Sequence, residues 1–329
     1  MIRPVRTAVV AAGIGLLAAG PAVAEGARDW LERMFTAAQT RSYEGTFVHR
    51  SGERMETMRV VHRAEDGRVS ERLWSEDEPG REVIRDEEKV TCIFADRQSV
   101  LVESRRPGEA GAVSGRLPRY DRDLVGHYDF VVLGEGRKLG RPVVVLEVRP
   151  RDEFRYGYRL WVDEKSAMPL KVQMRDDGGL AVEEFQFTEI RLDPQIPDSS
   201  FEPSLELDDF TWYEQESSRT EQLSAPEWEV VDLPPGFAMT LAERRPLPAS
   251  PDPVTQLVYS DGLASVSVFI EPSGEMQESM DGFSRLGAAN AFSLRQGQLQ
   301  VTAVGEVPGK TVRRMAESVA RRSPGDGRP

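Results

Sequence analysis

The sequence predicts a mainly β protein with α+β character, organised as two units of unequal size. From residue 42 to residue 192, short runs of alternating apolar and polar residues follow one another, with turn residues between them. No helical pattern separates these runs, which favours an antiparallel meander over alternating strands and helices. After an acidic stretch, a second and shorter set of alternating runs ends in one helical pattern.

The first unit begins with an amphipathic helix that is followed by a wide sheet. Between residues 27 and 40 the apolar side chains recur at helical spacing: Trp30, Leu31, Met34, Phe35 and Ala38. The strands that follow number about ten, and the Asp66-Gly67 pair suits a tight hairpin between two of them. A sheet of that width tends to curl, so we expect one of its faces to line a trough.

One predicted hairpin of this sheet carries a tryptophan on its polar face. Within residues 158–174, alternation places Leu160 and Val172 on the apolar face and Trp161 among the charged residues of the other face. A tryptophan left in water among charges would be unusual. We therefore expect its face to be covered or concave.

The second unit is predicted to be a small α+β domain. Its first hairpin has Asp261-Gly262 at the turn, and a second hairpin spans residues 290–307. A helical pattern follows, with three apolar residues on one face: Val312, Met315 and Val319. We divide the chain into a signal peptide (1–24), a first domain (25–205), an acidic linker (206–226), a second domain (227–322) and a disordered tail (323–329).

The N-terminus has the pattern of a secretory signal peptide. Two arginines precede an apolar run from Thr7 to Gly20, and small residues lead up to Ala24. The run is shorter than the ~20 residues that a membrane-spanning helix needs. We therefore expect cleavage after Ala24 and export of a soluble chain to an oxidising compartment.

Charge and cysteine content exclude several classes of function and structure. The chain has 55 acidic and 42 basic residues and a formal net charge of −13, which disfavours sequence-independent binding of nucleic acids. The single cysteine, Cys92, cannot form an intramolecular disulfide, and its alternation with Val90 and Phe94 indicates a packed core thiol. Stability must therefore come from hydrophobic cores.

No motif of an enzyme or a metal site stands out in the sequence after residue 24. The three histidines, His49, His62 and His127, lie far apart and without metal-ligand spacing. Nucleophile elbows, phosphate loops and dinucleotide fingerprints are absent from the sequence, and acid pairs carry no information in so acidic a chain. We expect a protein that is not an enzyme and that needs no cofactor or metal ion.

Charge is distributed unevenly along the chain. Residues 103–159 hold twelve basic and nine acidic residues, whereas residues 202–221 hold seven acidic residues and one arginine. The basic stretch is either an ordinary solvated surface or a basic rim that meets phosphate groups at the mouth of the trough. Its Gly/Pro-rich segment, 106–118, is predicted to be a mobile surface loop, with a functional lid as the alternative. The acidic stretch is typical of a linker, whose charge could lie against the basic stretch.

Three stretches of the chain resemble the MucB/RseB family of periplasmic regulators of the sigma-E envelope-stress response. They are SYEGTFVHR after the first helix, YGYRLWVDEKSAMPLKVQM, and VYSDGLASVSVFIE together with TAVGEVPGKTV in the second unit. The resemblance implies a first domain similar to the lipoprotein carriers LolA and LolB, a curved half-barrel sheet closed on one side by helices. A smaller C-terminal domain is then joined to it.

The resemblance also implies a function. Family members are not enzymes; they bind the periplasmic region of a membrane-bound anti-sigma factor, protect it from site-1 proteolysis, and so keep the sigma factor inactive. Lipid-bearing signals, either lipopolysaccharide or the acyl chains of lipoproteins, would release that grip. A soluble periplasmic lipid or lipoprotein carrier is the alternative, and a hydrolase of envelope material is a third hypothesis. The second domain favours the regulator, since a simple carrier needs only the half-barrel.

The sequence pattern, and not the family, provides the candidate binding residues. We predict a lipid pocket lined by Leu160, Trp161, Val172 and Trp74, and leave open whether the Leu160 side or the Trp161 side is the cavity. Contacts with a lipid headgroup or with the acidic linker are predicted for Arg116, Arg119, Arg137 and Lys138. Self-association into a homo-oligomer is also left open.

Overall fold

Two units with separate cores make up the computed structural model of this chain. The structure describes residues 26–76, 80–105, 111–118, 126–215, 221–246, 252–272 and 281–322. The predicted signal peptide, the predicted C-terminal tail and Arg119 lie outside the described residues. Within the described ranges, no helix is long and apolar enough to cross a membrane.

The larger unit contains one α-helix and a sheet of twelve strands. The elements are α1 (Ala27–Thr40), β1 (Tyr43–Ser51), β2 (Arg54–Glu65), β3 (Arg68–Ser75), β4 (Arg81–Arg85), β5 (Lys89–Phe94), β6 (Ser99–Ser104), β7 (Tyr128–Lys138), β8 (Arg141–Pro150), β9 (Gly157–Asp163), β10 (Pro169–Arg175), β11 (Ala181–Leu192) and β12 (Thr211–Gln215). Their order across the sheet is β12-β6-β5-β4-β3-β2-β1-β11-β10-β9-β8-β7. Neighbours are antiparallel except β12 and β6, so the predicted meander and fold class are confirmed.

Helix α1 covers one face of this sheet, which we call the inner face. The helix begins where the backbone N–H of Gly26 donates to the Asp29 carboxylate at 3.2 Å, and it buries Leu31 and Met34. These side chains pack with Leu160 of β9 and Phe187 of β11 in one hydrophobic core. The resemblance implied several covering helices, whereas α1 is the one α-helix that the described part of this unit contains.

Residues 111–118, which we call the plug, also fill the inner face. Val113 and Leu117 are buried and belong to the same core as α1. The prediction of a surface loop over residues 106–118 is therefore wrong for this segment. Isolated apolar residues among glycines give no periodicity, so the sequence does not reveal that they insert into a core.

The acidic segment is not a free linker in the structure. The chain leaves β11 and crosses the outer face of the sheet, where Arg72 donates to the Ser200 carbonyl at 3.3 Å and the Ser204 hydroxyl donates to Glu82 at 2.7 Å. Strand β12 then pairs in parallel with β6 at the edge of the sheet, although Trp212 and Tyr213 remain more than half exposed. Most of this segment thus belongs to the larger unit.

The smaller unit has a seven-stranded antiparallel sheet with one helix on it. Its elements are β13 (Glu221–Gln222), β14 (Trp228–Val230), β15 (Ala238–Arg245), β16 (Val254–Ser260), β17 (Ser265–Pro272), β18 (Gly282–Leu286), β19 (Ala289–Gln296), β20 (Leu299–Gly305), α2 (Gly309–Glu317) and β21 (Val319–Arg321). The sheet order is β13-β15-β16-β17-β20-β19-β18, and β14 pairs with β21 separately. Both predicted hairpins are present, as β16–β17 and β19–β20.

Helix α2 packs Val312 and Met315 on the core of this smaller sheet. The predicted helical face extended to Val319, but the helix ends at Glu317 and Val319 begins β21. Val319 is still buried in the same core, because β21 pairs with β14 along the side of the unit. The periodicity therefore identified a buried residue correctly but assigned it to the wrong element.

Candidate functional site at the seam between the two units

A buried ionic cluster joins the two units. Arg155, in the loop between β8 and β9, donates to Asp261 at the β16–β17 turn over 2.5 Å, and both side chains are 0% exposed. The hydroxyl of Tyr128 donates to the same carboxylate oxygen at 2.9 Å. The other oxygen of Asp261 accepts hydrogen bonds from the backbone N–H groups of Leu263 and Ala264. Asp261 thus holds its own turn and the neighbouring unit together.

Further direct contacts extend this seam. The backbone N–H of Ala288 donates to the Ser51 hydroxyl at 3.0 Å, and Thr311 donates to the Phe154 carbonyl at 2.8 Å. Gly236 has φ +83°, and a Cβ at that position would overlap the ring of His127. The sequence therefore needs glycine there for both its backbone conformation and its close approach to the larger unit.

A cavity of about 540 Å³ opens on the inner face beside this seam. Strands β3 to β5, β9 to β11, the plug and the smaller unit all contribute to its wall. Its apolar lining comprises Leu73, Val83, Cys92, Phe94, Ala112, Leu117, Tyr158, Met174 and Leu263, and its charged lining comprises Arg81, Arg85, Arg116, Glu183 and Glu306. We call it cavity 1. Because Leu263 and Glu306 belong to the smaller unit, an occupant of cavity 1 would touch both units.

Glu71 holds one end of the plug over cavity 1. Its buried carboxylate accepts the backbone N–H of Ala112 at 2.8 Å and an N–H of Arg85 at 2.7 Å, and it lies 3.2 Å from His62 Nδ1. A Cβ on Gly111 would come within 2.7 Å of this carboxylate, so glycine allows the close approach. Burial alone would raise the pKa of Glu71, but the hydrogen bond from His62 and the charges of His62 and Arg85 lower it overall.

Arg116 holds the other end of the plug. It donates to Glu183 Oε1 of β11 at 2.7 Å, and the same oxygen lies 2.6 Å from His49 Nε2 of β1. Burial alone would raise the pKa of Glu183, but the His49 hydrogen bond and the Arg116 charge lower it. The plug is therefore fixed by a carboxylate at each end.

Two further titratable groups lie near Glu183. Glu306 is exposed at the edge of cavity 1, where partial desolvation and then the negative charge of Glu183 raise the pKa of its carboxyl. Burial, together with the charges of Glu306 and Glu183, raises the pKa of Tyr158 well above its ordinary value. In the described part of the chain, no group of three or more His, Cys, Asp or Glu residues is placed to hold a metal ion.

Comparison with known proteins covers both units. The model of the MucB/RseB N-terminal domain matches residues 26–205, and that of the MucB/RseB C-terminal domain matches residues 222–320. The chain belongs to the MucB/RseB family. It is 37% identical over 314 residues to the sigma factor AlgU regulatory protein MucB of Pseudomonas aeruginosa, which covers 93% of this chain and 95% of that protein. It is 28% identical over 308 residues to the sigma-E factor regulatory protein RseB of Escherichia coli, covering 88% and 89%.

Solved structures agree with this assignment. The complex of Pseudomonas aeruginosa MucA and MucB contains a chain with a TM-score of 0.71 and 34% identity, and the match covers 90% of this chain and 99% of that one. MucB in complex with MucA(peri) gives a TM-score of 0.70 and 32% identity over the same shares. The resemblance seen in the sequence is therefore confirmed.

The four predicted lipid-pocket residues do not line cavity 1 of this MucB/RseB protein. Leu160 and Val172 lie on the inner face but are buried in the core beneath α1. Trp161 and Trp74 lie on the outer face, where paired cations cover the rings: Lys138 and Lys171 at 5.6 and 5.4 Å from the Trp161 centroid, and Arg59 and Arg72 at 5.4 and 4.5 Å from that of Trp74. Cations therefore cover the tryptophan that the hairpin pattern left unexplained.

Of the four predicted cationic contacts, cavity 1 contains one, Arg116. Arg137 and Lys138 end β7, at the opposite edge of the sheet from β12. The acidic segment carrying β12 pairs with β6 at the other edge.

Tyr158 and Met174 line cavity 1 but were not selected from the sequence. They are cross-strand partners at the end of the hairpin that carries Leu160 and Val172, and they share its apolar face. The alternation of this hairpin was sufficient to find them. Glu183 gave no comparable signal, because its partners His49 and Arg116 are distant in the sequence.

Proposed function

We propose that this chain binds the periplasmic segment of a membrane-bound anti-sigma factor and shields it from proteolysis, so that a sigma-E-type stress response stays off. The observation that carries the proposal is the family match over both units, together with the likeness to MucB in its complex with MucA(peri). A non-catalytic role follows, since binding alone hides a cleavage site. The signal-peptide pattern of residues 1–24 supports a periplasmic location.

We also propose that cavity 1 is the sensory site and takes an acyl chain with an anionic headgroup. Apolar side chains such as Leu73 and Met174 would surround the chain, and Arg116 would contact the headgroup. Burial of each methylene group is worth ~0.8 kcal/mol before ordering costs, so a long chain could bind at micromolar concentration. An occupant would press on Leu263, which is bonded to the Asp261 turn that joins the units.

A protection assay tests the regulatory function. The purified mature chain is mixed with the periplasmic segment of the anti-sigma factor encoded in the same genome, and digestion by the matching site-1 protease is followed. We expect a stable complex and slowed cleavage. A chain that binds fluorescent acyl probes but neither binds nor protects the segment would instead be the soluble lipid carrier considered from the sequence.

A further inference from the structure

Two cationic or protonatable nitrogens compete for one carboxylate oxygen beneath the plug. His49 Nε2 and Arg116 Nη1 lie 2.6 and 2.7 Å from Glu183 Oε1, and they are 2.8 Å from each other. Each pair in this triangle is within hydrogen-bonding distance. The position of one proton therefore decides which contacts are attractive.

Neither neutral tautomer of His49 satisfies all three contacts. With a proton on Nε2, the ring donates to Glu183 but turns an N–H toward the Arg116 donor. Without that proton, Nε2 accepts from Arg116 but places its lone pair against the carboxylate oxygen. Full protonation of the ring removes the second arrangement and adds a positive charge beside Arg116.

The three groups differ in how firmly the fold holds them. His49 and Glu183 lie on β1 and β11, which pair with each other over the whole of β1, and their side chains are 16% and 13% exposed. Arg116 belongs to the plug and its side chain is 35% exposed. If one partner must leave the triangle, it is Arg116.

The remaining charged groups around His49 do not change the conclusion that Arg116 is the group that leaves the triangle. Glu56 lies opposite His49 on β2 and is 3.9 Å from Arg81 of β4. Burial keeps the proton on Tyr158 of β9, and Glu306 of the smaller unit attracts both Arg116 and His49. A guanidinium leaving Glu183 would thus meet a carboxylate, Glu306, within the same cavity.

We propose that Arg116 is a proton-controlled latch of cavity 1: protonation of His49 displaces Arg116 from Glu183 and loosens the plug. Glu71 still holds Ala112, so the plug pivots at that end and does not leave the inner face. Acidification then opens cavity 1, and neutral conditions close it. This device concerns access to the cavity in the free protein and does not depend on the proposed partner or lipid.

The single cysteine provides a reporter for the latch. Cys92 lines cavity 1 together with Ala112, Gly115, Arg116 and Leu117 of the plug, so movement of the plug changes its accessibility. The mature chain is reacted with 4,4′-dithiodipyridine at a series of pH values between about pH 5.5 and about pH 8. Each rate is divided by that of the same chain in denaturant at the same pH, which removes the pH dependence of an ordinary exposed thiol.

We expect the normalised rate of the wild-type chain to rise about tenfold on acidification, the change that loss of one charge-assisted hydrogen bond would produce. His49→Gln should abolish the rise, and Arg116→Gln should react fast at both pH values. The control Arg137→Gln, which removes a cation from edge strand β7 outside the triangle and outside cavity 1, should keep the wild-type rise. A pH-independent wild-type rate, or an undiminished rise in His49→Gln or Arg116→Gln, would overturn the latch. Arg116→Gln alone decides the matter if His49→Gln does not fold.

Discussion

Arg155 and Asp261 form an ion pair between the two units in which both side chains are fully buried. Asp152 and the Pro235 carbonyl accept the remaining donors of Arg155, while Tyr128 and two backbone N–H groups satisfy Asp261. A buried ion pair with this many hydrogen bonds fixes the relative position of its two units more than it adds stability. Loss of one partner, however, leaves an uncompensated charge in the interior. The docking of the smaller unit therefore depends on both side chains.

Replacing Arg155 should destabilise the protein strongly. We expect Arg155→Met to lower the free energy of unfolding by about 3–5 kcal/mol, because Asp261 remains buried without its cation. Urea unfolding followed by circular dichroism measures the loss. Lys310→Met is the matched control, since Lys310 pairs with Glu153 across the same seam at an exposed site and should cost less than about 1 kcal/mol. Equal losses in the two variants would contradict the role given to burial.

Glu71 should make the stability of the fold depend on acidity. Its pKa is lowered in the folded state, so its contribution is present above the unfolded-state pKa of about 4.3 and is lost as the pH falls through the folded-state value. Glu71→Gln should cost about 1–3 kcal/mol near neutral pH, and the difference from wild type should shrink below about pH 4. Urea unfolding across this range gives both values. A difference that stays constant from neutral to acid pH would disprove the prediction.

Arg116 and Arg137, both predicted from the sequence to contact a lipid headgroup, should differ in their effect on lipid affinity. Arg116→Gln should weaken binding of a fluorescent fatty-acyl probe by about tenfold, since Arg116 lines cavity 1 and would meet the carboxylate. Arg137→Gln should leave the affinity unchanged, because Arg137 lies at the far edge of the sheet. Titration of the full mature chain with the probe compares them. If both variants bind as wild type does, the headgroup lies elsewhere.

The smaller unit should provide much of the contact with the anti-sigma factor, as we expect of a domain that a simple carrier would not need. On its edge strand β18, Phe283 and Leu286 are 57% and 72% exposed. The double substitution Phe283→Ser and Leu286→Ser should weaken binding at least about tenfold, as loss of exposed apolar anchors does at interfaces. The control is the double substitution Val132→Ser and Leu133→Ser. These two residues are exposed on edge strand β7 of the larger unit. Stronger weakening by the control would assign the contact to the larger unit.

Local pattern was sufficient for most elements of the fold but not for the site. Alternation and turn residues predicted the hairpins around Asp66-Gly67 and Asp261-Gly262, and helical spacing predicted α1. The sequence did not predict that the plug is buried. Its two core residues, Val113 and Leu117, lie among glycine and proline residues and form no periodic pattern. The covering of Trp161 by Lys138 depends on β7 and β9 lying in one sheet, a relation that no local window contains. The triangle of His49, Arg116 and Glu183 likewise joins three distant segments.

Strand β12 has a consequence for any attempt to dissect the chain. It occupies the free edge of β6, yet it lies beyond residue 205, where the match to the N-terminal family domain ends. A fragment cut at residue 205 would expose a row of unpaired N–H and C=O groups along β6. Such an edge is a template for pairing with strands of other molecules, so the fragment would be prone to aggregate. A fragment that extends through residue 215 would keep β6 paired with β12, the short strand that also forms this edge in the whole chain.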